Sequence, residues 1–308
     1  MAPGGRNKFI TWSAGPSPLA WYLSSRVFLL IQPTMTRFPA LLVGASIQLL
    51  HANLVSAASF WRGLQNLDFL FVFGDSYSTV GFRSTSTIPT TENPIGITYP
   101  GTTITHGENW VGALTTKFNK TLTLTWDYAI SGGQIVTSMQ KQVEEQFLET
   151  AGLHPDFCPW ASNNSLFASW IGINDINRSV VSERLPLEFT LQDEMYKVGA
   201  RNFLFLNVPP FDKSPGGNFS IEVRDQITLW NNLLPALVTN FTCTHPDSTA
   251  FLFDTQALWQ EFYDNPAAFN ITDVNAVGGG LWYDAFHPST QIQTVIGQRV
   301  ARFIDTVA

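Results

Sequence analysis

The stretch Asp68-Phe69-Leu70-Phe71-Val72-Phe73-Gly74-Asp75-Ser76 decides the fold. Its apolar residues are continuous and the run stops at turn-forming residues, which is typical of a strand buried on both faces. Four later runs have the same character, at residues 122–128, 166–171, 202–207 and 250–254. Buried strands of this kind pair in parallel when helices separate them, so the sequence predicts a parallel sheet of mostly five strands.

Helical patterns lie between and after these runs. Residues 136–150, 222–238 and 291–304 place apolar side chains at helical spacing. Alternating strands and helices predict a three-layer α/β/α domain with helices on both faces of the sheet. Two long segments, 83–107 and 264–280, are rich in Thr, Pro and Gly and predict loops. No internal repeat or linker divides residues 58–308, which we therefore interpret as one domain.

The composition excludes several classes of protein. Hydrophobic residues make up 44% of the chain, which is too many for a disordered protein. The formal net charge is −7, and this acidic balance argues against nucleic-acid binding, which needs a basic surface. The sequence contains no CxxC or HExxH pattern, so we expect neither a metal nor another cofactor.

The amino-terminal segment has the features of a secretory signal. Residues 1–57 contain no acidic side chain; Met35-Thr36-Arg37 precedes an apolar run at 38–50, and Val55-Ser56-Ala57 supplies the small residues of a cleavage site. We predict that Met35 is the start of a signal peptide and that residues 1–34 are an upstream extension. A membrane anchor is the less favoured alternative, because the apolar run is too short. After cleavage we expect no membrane association.

Two further features bear on secretion. The chain has six Asn-X-Ser/Thr sequons, at Asn119, Asn163, Asn177, Asn218, Asn240 and Asn270. The two cysteines, Cys158 and Cys243, form one disulfide in an oxidising compartment or remain as two unpaired thiols; their spacing does not decide between these alternatives. The sequence predicts a secreted, extracellular, glycosylated monomer.

Polar residues follow three predicted strands and precede the last helix. Ligands of open parallel sheets bind beyond the carboxyl ends of the strands, so these residues are candidates for a site. Ser76 needs a base to become a nucleophile, and His287 has Asp284 three residues before it to orient its ring. The backbone N–H groups of Ser76 and Gly132 and the side-chain amide of Asn174 are available donors for an oxyanion.

Four segments resemble blocks of the GDSL, or SGNH, hydrolases: Phe73-Gly74-Asp75-Ser76, Gly132, Gly172-Ile173-Asn174-Asp175 and Asp284-Ala285-Phe286-His287. They occur in the family's order and span residues 68–306. The resemblance implies the flavodoxin-like SGNH fold and an enzyme with Ser76 as nucleophile, His287 as base and Asp284 as its partner. It also implies an oxyanion hole of Ser76, Gly132 and Asn174, and a structural role for Asp175.

Other segments, at residues 107–111, 166–172 and 207–210, resemble fungal acetylesterases of carbohydrate esterase family 16 and are shared with plant GDSL lipase-like proteins. Those fungal enzymes deacetylate xylo-oligosaccharides and related sugars, so the resemblance implies a secreted serine esterase with acetylated oligosaccharides as substrates. The alternatives are a lipase or thioesterase acting on longer acyl esters and a non-catalytic carbohydrate-binding protein on the same scaffold.

The chain departs from the family pattern at three positions. Tyr77 stands where the name-giving Leu is usual, Asp127 replaces a common Asn, and Gly133 replaces a common Ala. Two tryptophans, Trp170 and Trp282, lie near the predicted site in the sequence. They are candidates for stacking on a sugar ring of the substrate, since an aromatic face packs well against apolar C–H groups.

Overall fold

A computed structural model describes residues 60–176 and 181–307. Its central sheet contains β1 Phe69–Gly74, β2 Leu124–Asp127, β3 Ser165–Trp170, β4 Asn202–Leu206 and β5 Thr249–Phe253. The strand order is β2-β1-β3-β4-β5, and every neighbouring pair is parallel. This is the flavodoxin-like order, which confirms the predicted fold class. The predicted extension and signal peptide, residues 1–57, and the sequon at Asn177 lie outside the described residues.

The inner strands are buried on both faces, as their continuous apolar sequences predict. Every residue of β1, β3 and β4 is buried, whereas the edge strand β5 alternates between buried and partly buried positions. On one face of the sheet the ring of Phe71 contacts Trp126, Phe147 and Phe167 at centroid distances of 5.6, 5.2 and 4.8 Å. This aromatic cluster forms much of the core below the strand that leads to Ser76.

Six α-helices accompany the sheet in the described residues: α1 Trp110–Thr116, α2 Ile173–Ile176, α3 Val181–Lys197, α4 Ile221–Thr244, α5 Thr255–Asp264 and α6 Thr290–Thr306. The connection from β1 to β2 crosses the sheet in the opposite direction to the later connections. Right-handed crossovers therefore place the intervening helices on opposite faces. Consistent with two helical layers, α1 packs against α6 and α3 packs against α4.

Several predicted elements differ from the structure. Residues 136–150 do not form one α-helix, because they contain two π-helical stretches, Ile135–Met139 and Gln142–Phe147. The predicted loop 264–280 is wrong in part, since it contains β6 Asp273–Val277, which pairs with β7 Gly280–Trp282. Helices α1, α2, α3 and α5 were not predicted. In α3 the apolar pattern is interrupted by Pro186 and by a buried polar residue, Glu188.

The cysteines and sequons occupy contrasting environments. Cys158 is buried and Cys243 is exposed, and both are free thiols, so the disulfide alternative is wrong. The described sequon asparagines are exposed or half-buried: Asn218, Asn240 and Asn270 are exposed, and Asn119 and Asn163 are half-buried. Within residues 60–176 and 181–307, no helix has the length and hydropathy needed to cross a bilayer.

Candidate active site

The turn that carries Ser76 is held close to the neighbouring strand. A Cβ atom on Gly74 would lie 2.4 Å from the carbonyl oxygen of Trp170, so glycine is required where β1 ends against β3. The side-chain amide of Gln142 fixes the same backbone from the other side: Gly74 N–H donates to Gln142 Oε1, and Gln142 Nε2 donates to Gly74 O, both at 2.8 Å. Sequence reasoning missed Gln142, because a lone glutamine in a predicted helix belongs to no motif.

His287 lies between β7 and α6 and connects the predicted nucleophile to a carboxylate. Its Nε2 is 2.8 Å from Ser76 Oγ, and its Nδ1 is 2.9 Å from each carboxylate oxygen of Asp284. The structure thus brings together three side chains that come from opposite ends of the domain. In this arrangement the imidazole can accept the hydroxyl proton while the carboxylate stabilises the resulting charge.

The Asp284 carboxylate is held in its ionised form. Burial by itself raises the pKa of Asp284. The N–H groups of Phe286 and His287, each 2.8 Å from Oδ1, and the His287 ring lower the pKa by more than burial raises it, so it lies below its ordinary value. The two backbone donors also fix the carboxylate relative to the loop that carries the imidazole. The charge and the orientation needed by His287 are therefore set by the same four-residue segment.

Two of the three predicted oxyanion donors, Gly132 and Asn174, lie after the strands that flank β1. Gly132 is exposed in the turn after β2 and has a φ of 73°, a left-handed conformation that favours glycine; a Cβ there would meet nothing within 4 Å. In α2, after β3, Asn174 Nδ2 donates to Gly133 O at 3.0 Å and to Asp75 Oδ2 at 3.3 Å. The amide is therefore oriented by both adjoining loops.

A buried aspartate, a buried glutamine and an arginine support these loops. Arg184 Nη1 in α3 is 3.0 Å from Asp175 Oδ1 and 3.2 Å from Gln134 Oε1. The Asp175 carboxylate also accepts from Ile135 N–H at 3.3 Å, and Gln134 Nε2 donates to Asn174 O at 3.1 Å. These contacts join the loop after β2 to the loop after β3. Asp175 is thus a loop-holding residue, and Arg184 and Gln134 are supporting residues that no motif had indicated.

Asp75 lies directly beneath the site. It is fully buried, and its Oδ1 accepts from Tyr77 N–H at 2.9 Å. Burial, together with the nearby Asp175 carboxylate, raises the pKa of Asp75 to about 7 against the lowering effect of the Tyr77 N–H. This side chain is therefore close to the midpoint of its titration near neutral pH while it contacts Asn174.

Asp127 performs a related bridging function at the end of β2. Its Oδ2 accepts from Val80 N–H at 2.9 Å and its Oδ1 from Ala129 N–H at 3.0 Å. Burial raises its pKa well above the ordinary value, against the effect of these two hydrogen bonds. The departure from Asn at this position thus changes a support between two loops and does not alter the chain from Ser76 to Asp284.

The two tryptophans proposed as sugar platforms are not available for that role. Trp170 and Trp282 are both 0% exposed. The indole N–H of Trp170 donates to Asn207 O at 3.2 Å, and that of Trp282 donates to Val274 O at 2.9 Å. The prediction was wrong because proximity in sequence to the site says nothing about the direction of the side chain, and both rings point into the core.

Comparisons with known proteins identify the family. The profile of the GDSL-like lipase/acylhydrolase family matches residues 70–300. An acetylesterase of Thermothelomyces thermophilus is 32% identical over 262 residues, which cover 76% of this chain and 87% of that protein. A point mutant of Axe2, an acetyl-xylooligosaccharide esterase from Geobacillus stearothermophilus, has a similar fold, with a TM-score of 0.50 and 18% identity over 77% of this chain and 94% of that one. The chain belongs to the GDSL-like lipase/acylhydrolase family and is a carboxylic ester hydrolase.

Proposed function

We propose that the protein is a serine esterase that removes acetyl groups from acetylated xylo-oligosaccharides or related plant cell-wall sugars. The observation that carries the proposal is the continuous hydrogen-bonded chain from Ser76 Oγ through His287 to Asp284. The names of the similar proteins, an acetylesterase and an acetyl-xylooligosaccharide esterase, support acetyl as the acyl group and a sugar as the alcohol.

In the first half of the reaction, His287 Nε2 takes the proton of Ser76 Oγ as this oxygen attacks the ester carbonyl carbon. The carbonyl oxygen becomes an oxyanion, for which the N–H groups of Ser76 and Gly132 and the amide of Asn174 are the donors. That amide donates to Gly133 O at 3.0 Å and to Asp75 Oδ2 at 3.3 Å, so both loops orient it.

Collapse of the tetrahedral intermediate breaks the bond to the sugar oxygen, and His287 returns the proton to this leaving group. The acetyl group is then bound to Ser76 as an ester. A water molecule, deprotonated by the same imidazole, attacks the acetyl carbon, and a second collapse releases acetate and restores the serine hydroxyl. The cycle needs no group beyond those of the chain and one water.

Initial rates of acetate release test this function. Acetylated xylo-oligosaccharides should be hydrolysed, and among p-nitrophenyl esters the acetate should be turned over faster than long-chain esters. A Ser76→Ala variant should keep its melting temperature and lose activity by about 10⁴-fold or more. Faster hydrolysis of long-chain esters would favour a lipase or thioesterase, and full activity of Ser76→Ala would reject the nucleophile.

We further propose that the enzyme is secreted and glycosylated. The signal-like segment ending at Ala57 and the exposure of Asn218, Asn240 and Asn270 support this proposal. Expression in a eukaryotic secretory host should give protein in the medium whose amino terminus follows residue 57 and whose mass falls after treatment with peptide N-glycosidase. Protein retained in the cells with an intact amino terminus would contradict it.

A further inference from the structure

Two aromatic side chains beside the base are left without a role by the proposed chemistry. Tyr283 and Phe286, which flank Asp284 and precede His287, are each 41% exposed. The neighbouring Trp282 is buried, so it cannot present a ring to a substrate. An exposed aromatic side chain next to a reacting group is a candidate for substrate contact. The oxygen to which His287 gives its proton indicates which part of the substrate that side chain would contact.

The base and the oxyanion donors divide the substrate between two sides of the site. Gly132 and Asn174 follow β2 and β3, the two neighbours of β1. In the proposed reaction they are the donors to the carbonyl oxygen of the ester. The leaving oxygen must lie beside His287 Nε2, because the imidazole donates its proton to that oxygen. The alcohol portion of the ester, which in an acetylated oligosaccharide is the sugar, would therefore lie on the His287 side of the site, where an exposed side chain of the same loop, unlike the buried Trp282, is available for contact.

The Phe286 ring is held in place although much of it is exposed. It stacks on Phe211, which follows β4 at the same edge of the sheet, with a centroid distance of 5.4 Å and an interplanar angle of 27°. Gly216 makes room for the ring, since a Cβ there would lie 2.0 Å from Phe286 Cε1. One face of the ring is thus covered by a second aromatic ring.

The backbone around this ring is equally constrained. Gly216 N–H donates to Ala285 O at 2.7 Å, Phe286 N–H donates to Asp284 Oδ1 at 2.8 Å, and Tyr77 donates to Phe286 O. An aromatic ring fixed in this way loses little conformational entropy when a ligand packs on its free face. The Phe286 ring is therefore a preorganised apolar surface next to His287.

We propose that Phe286 is the platform on which the sugar ring of the leaving alcohol stacks during hydrolysis. The C–H groups on one face of a pyranose would pack on the free face of the phenyl ring, and this contact would place the acetylated oxygen next to His287. The inference rests on the proposed function and identifies the side chain that selects a carbohydrate over other alcohols. It assigns to Phe286 the role that the sequence had suggested for Trp282.

The test compares two acetate esters that differ only in their alcohol. The kcat/KM values for acetylated xylotriose and for ethyl acetate are measured with the full chain and with Phe286→Ala, Phe286→Leu and Phe286→Trp. Leu keeps apolar contact with Phe211 and lacks an aromatic face, whereas Trp retains that face. The matched control is Phe157→Ala, an aromatic residue that is 48% exposed in the turn before β3, at the opposite edge of the sheet.

The ratio of the two kcat/KM values, sugar ester over ethyl ester, should fall about ten-fold in the Ala and Leu variants and be retained in the Trp variant. Phe157→Ala should leave the ratio unchanged. In a Ser76→Ala background, which holds the ester uncleaved, Phe286→Leu should also weaken binding of acetylated xylotriose in calorimetry by about ten-fold.

The outcomes separate this inference from the function on which it rests. If the enzyme without substitutions hydrolyses ethyl acetate but no acetylated sugar, the proposed substrate class is wrong, and so is the proposed role of Phe286. If the enzyme hydrolyses the sugar ester and the ratio is the same in Phe286→Leu, the function stands and the platform is wrong. Equal losses on both esters would show that Phe286 supports the His287 loop and does not bind the sugar.

Discussion

The hydroxyl of Tyr77 donates a hydrogen bond to the backbone carbonyl of Phe286, although 209 positions separate the two residues. The Tyr77 ring, which is 1% exposed, also lies 5.6 Å from the His287 ring. These contacts join the loop of the predicted nucleophile to the loop of the predicted base. The residue that departs from the family's name-giving Leu is therefore a connection between the two halves of the site.

Replacing Tyr77 with Phe should lower kcat about ten-fold with little change in KM, because the ring remains while the His287 loop loses its tie to the Ser76 loop. The orphaned carbonyl of Phe286 should also cost about 1–3 kcal/mol of unfolding free energy. Steady-state rates on p-nitrophenyl acetate and urea unfolding measure both effects. The matched control is Tyr263→Phe, since the Tyr263 hydroxyl has no hydrogen-bond partner among the described residues. Equal kcat values in the two variants would contradict the connecting role.

The adjacent glycines of the loop after β2 should respond differently to alanine. A Cβ at Gly133 would lie 2.7 Å from Gly74 O and 2.8 Å from Ile130 O, whereas one at Gly132 would meet nothing. Gly132→Ala should therefore cost about 1–2 kcal/mol, the penalty of its left-handed backbone, while Gly133→Ala should cost about 3 kcal/mol. Urea unfolding measures the unfolding free energy of both variants. A larger loss of stability in Gly132→Ala than in Gly133→Ala would contradict the prediction.

The buried Glu188 should make the protein less stable as the pH rises. Burial, with a contribution from Asp175, raises its pKa from 4.5 to about 8. Between these values the folded state retains a proton that the unfolded state has lost, so the unfolding free energy falls with rising pH by up to about 1.4 kcal/mol per pH unit. Asp75, with a pKa of about 7, should act in the same direction.

Glu188→Gln removes one of these two groups, so its unfolding free energy should decline less steeply between pH 5 and pH 8. The measurement is urea unfolding at several pH values in that interval, with the difference between slopes as the readout. Because the comparison concerns slopes, a constant cost of burying the glutamine amide does not affect it. Identical slopes for the two proteins would exclude a proton held on Glu188.

The Arg184–Asp175 pair should contribute more to stability than a surface pair on the same helix. Asp175 is 0% exposed and Arg184 20% exposed, so Arg184→Met removes a positive charge that contacts a buried carboxylate and should cost about 3 kcal/mol. Lys197→Met breaks the exposed pair with Glu194, which water screens, so its cost should be much smaller than that of Arg184→Met. Adding Asp175→Asn to Arg184→Met should recover part of the loss; a further additive loss would argue against charge as its cause.

The thiol count checks the cysteine assignment. With Cys243 exposed and Cys158 buried, a thiol reagent should modify one cysteine in the folded protein and two in denaturant without reductant. The buried thiol should also react slowly because burial raises its pKa to about 12. Finding no reactive thiol in denaturant would show that the two cysteines are bridged in the purified protein.

The amino-acid sequence alone predicted the five strands, their parallel pairing and the candidate site residues. Continuous apolar runs indicate strands buried on both faces. Because such strands are parallel, their carboxyl ends all lie at one edge of the sheet. For this reason Ser76, Gly132 and Asn174 could be placed together, and His287 could be selected by the carboxylate three residues before it. These inferences need only local patterns and general rules of chain connection.

Only the tertiary structure decided which side chains face the core and which support the site. Trp282 and Phe286 lie four residues apart in aromatic-rich sequence, yet the first is buried and the second exposed. The contacts of Gln142, Arg184 and Tyr77 likewise join residues from separate elements, and no local pattern encodes them. Burial and long-range hydrogen bonds depend on how the packed elements meet, which is a property of the whole fold.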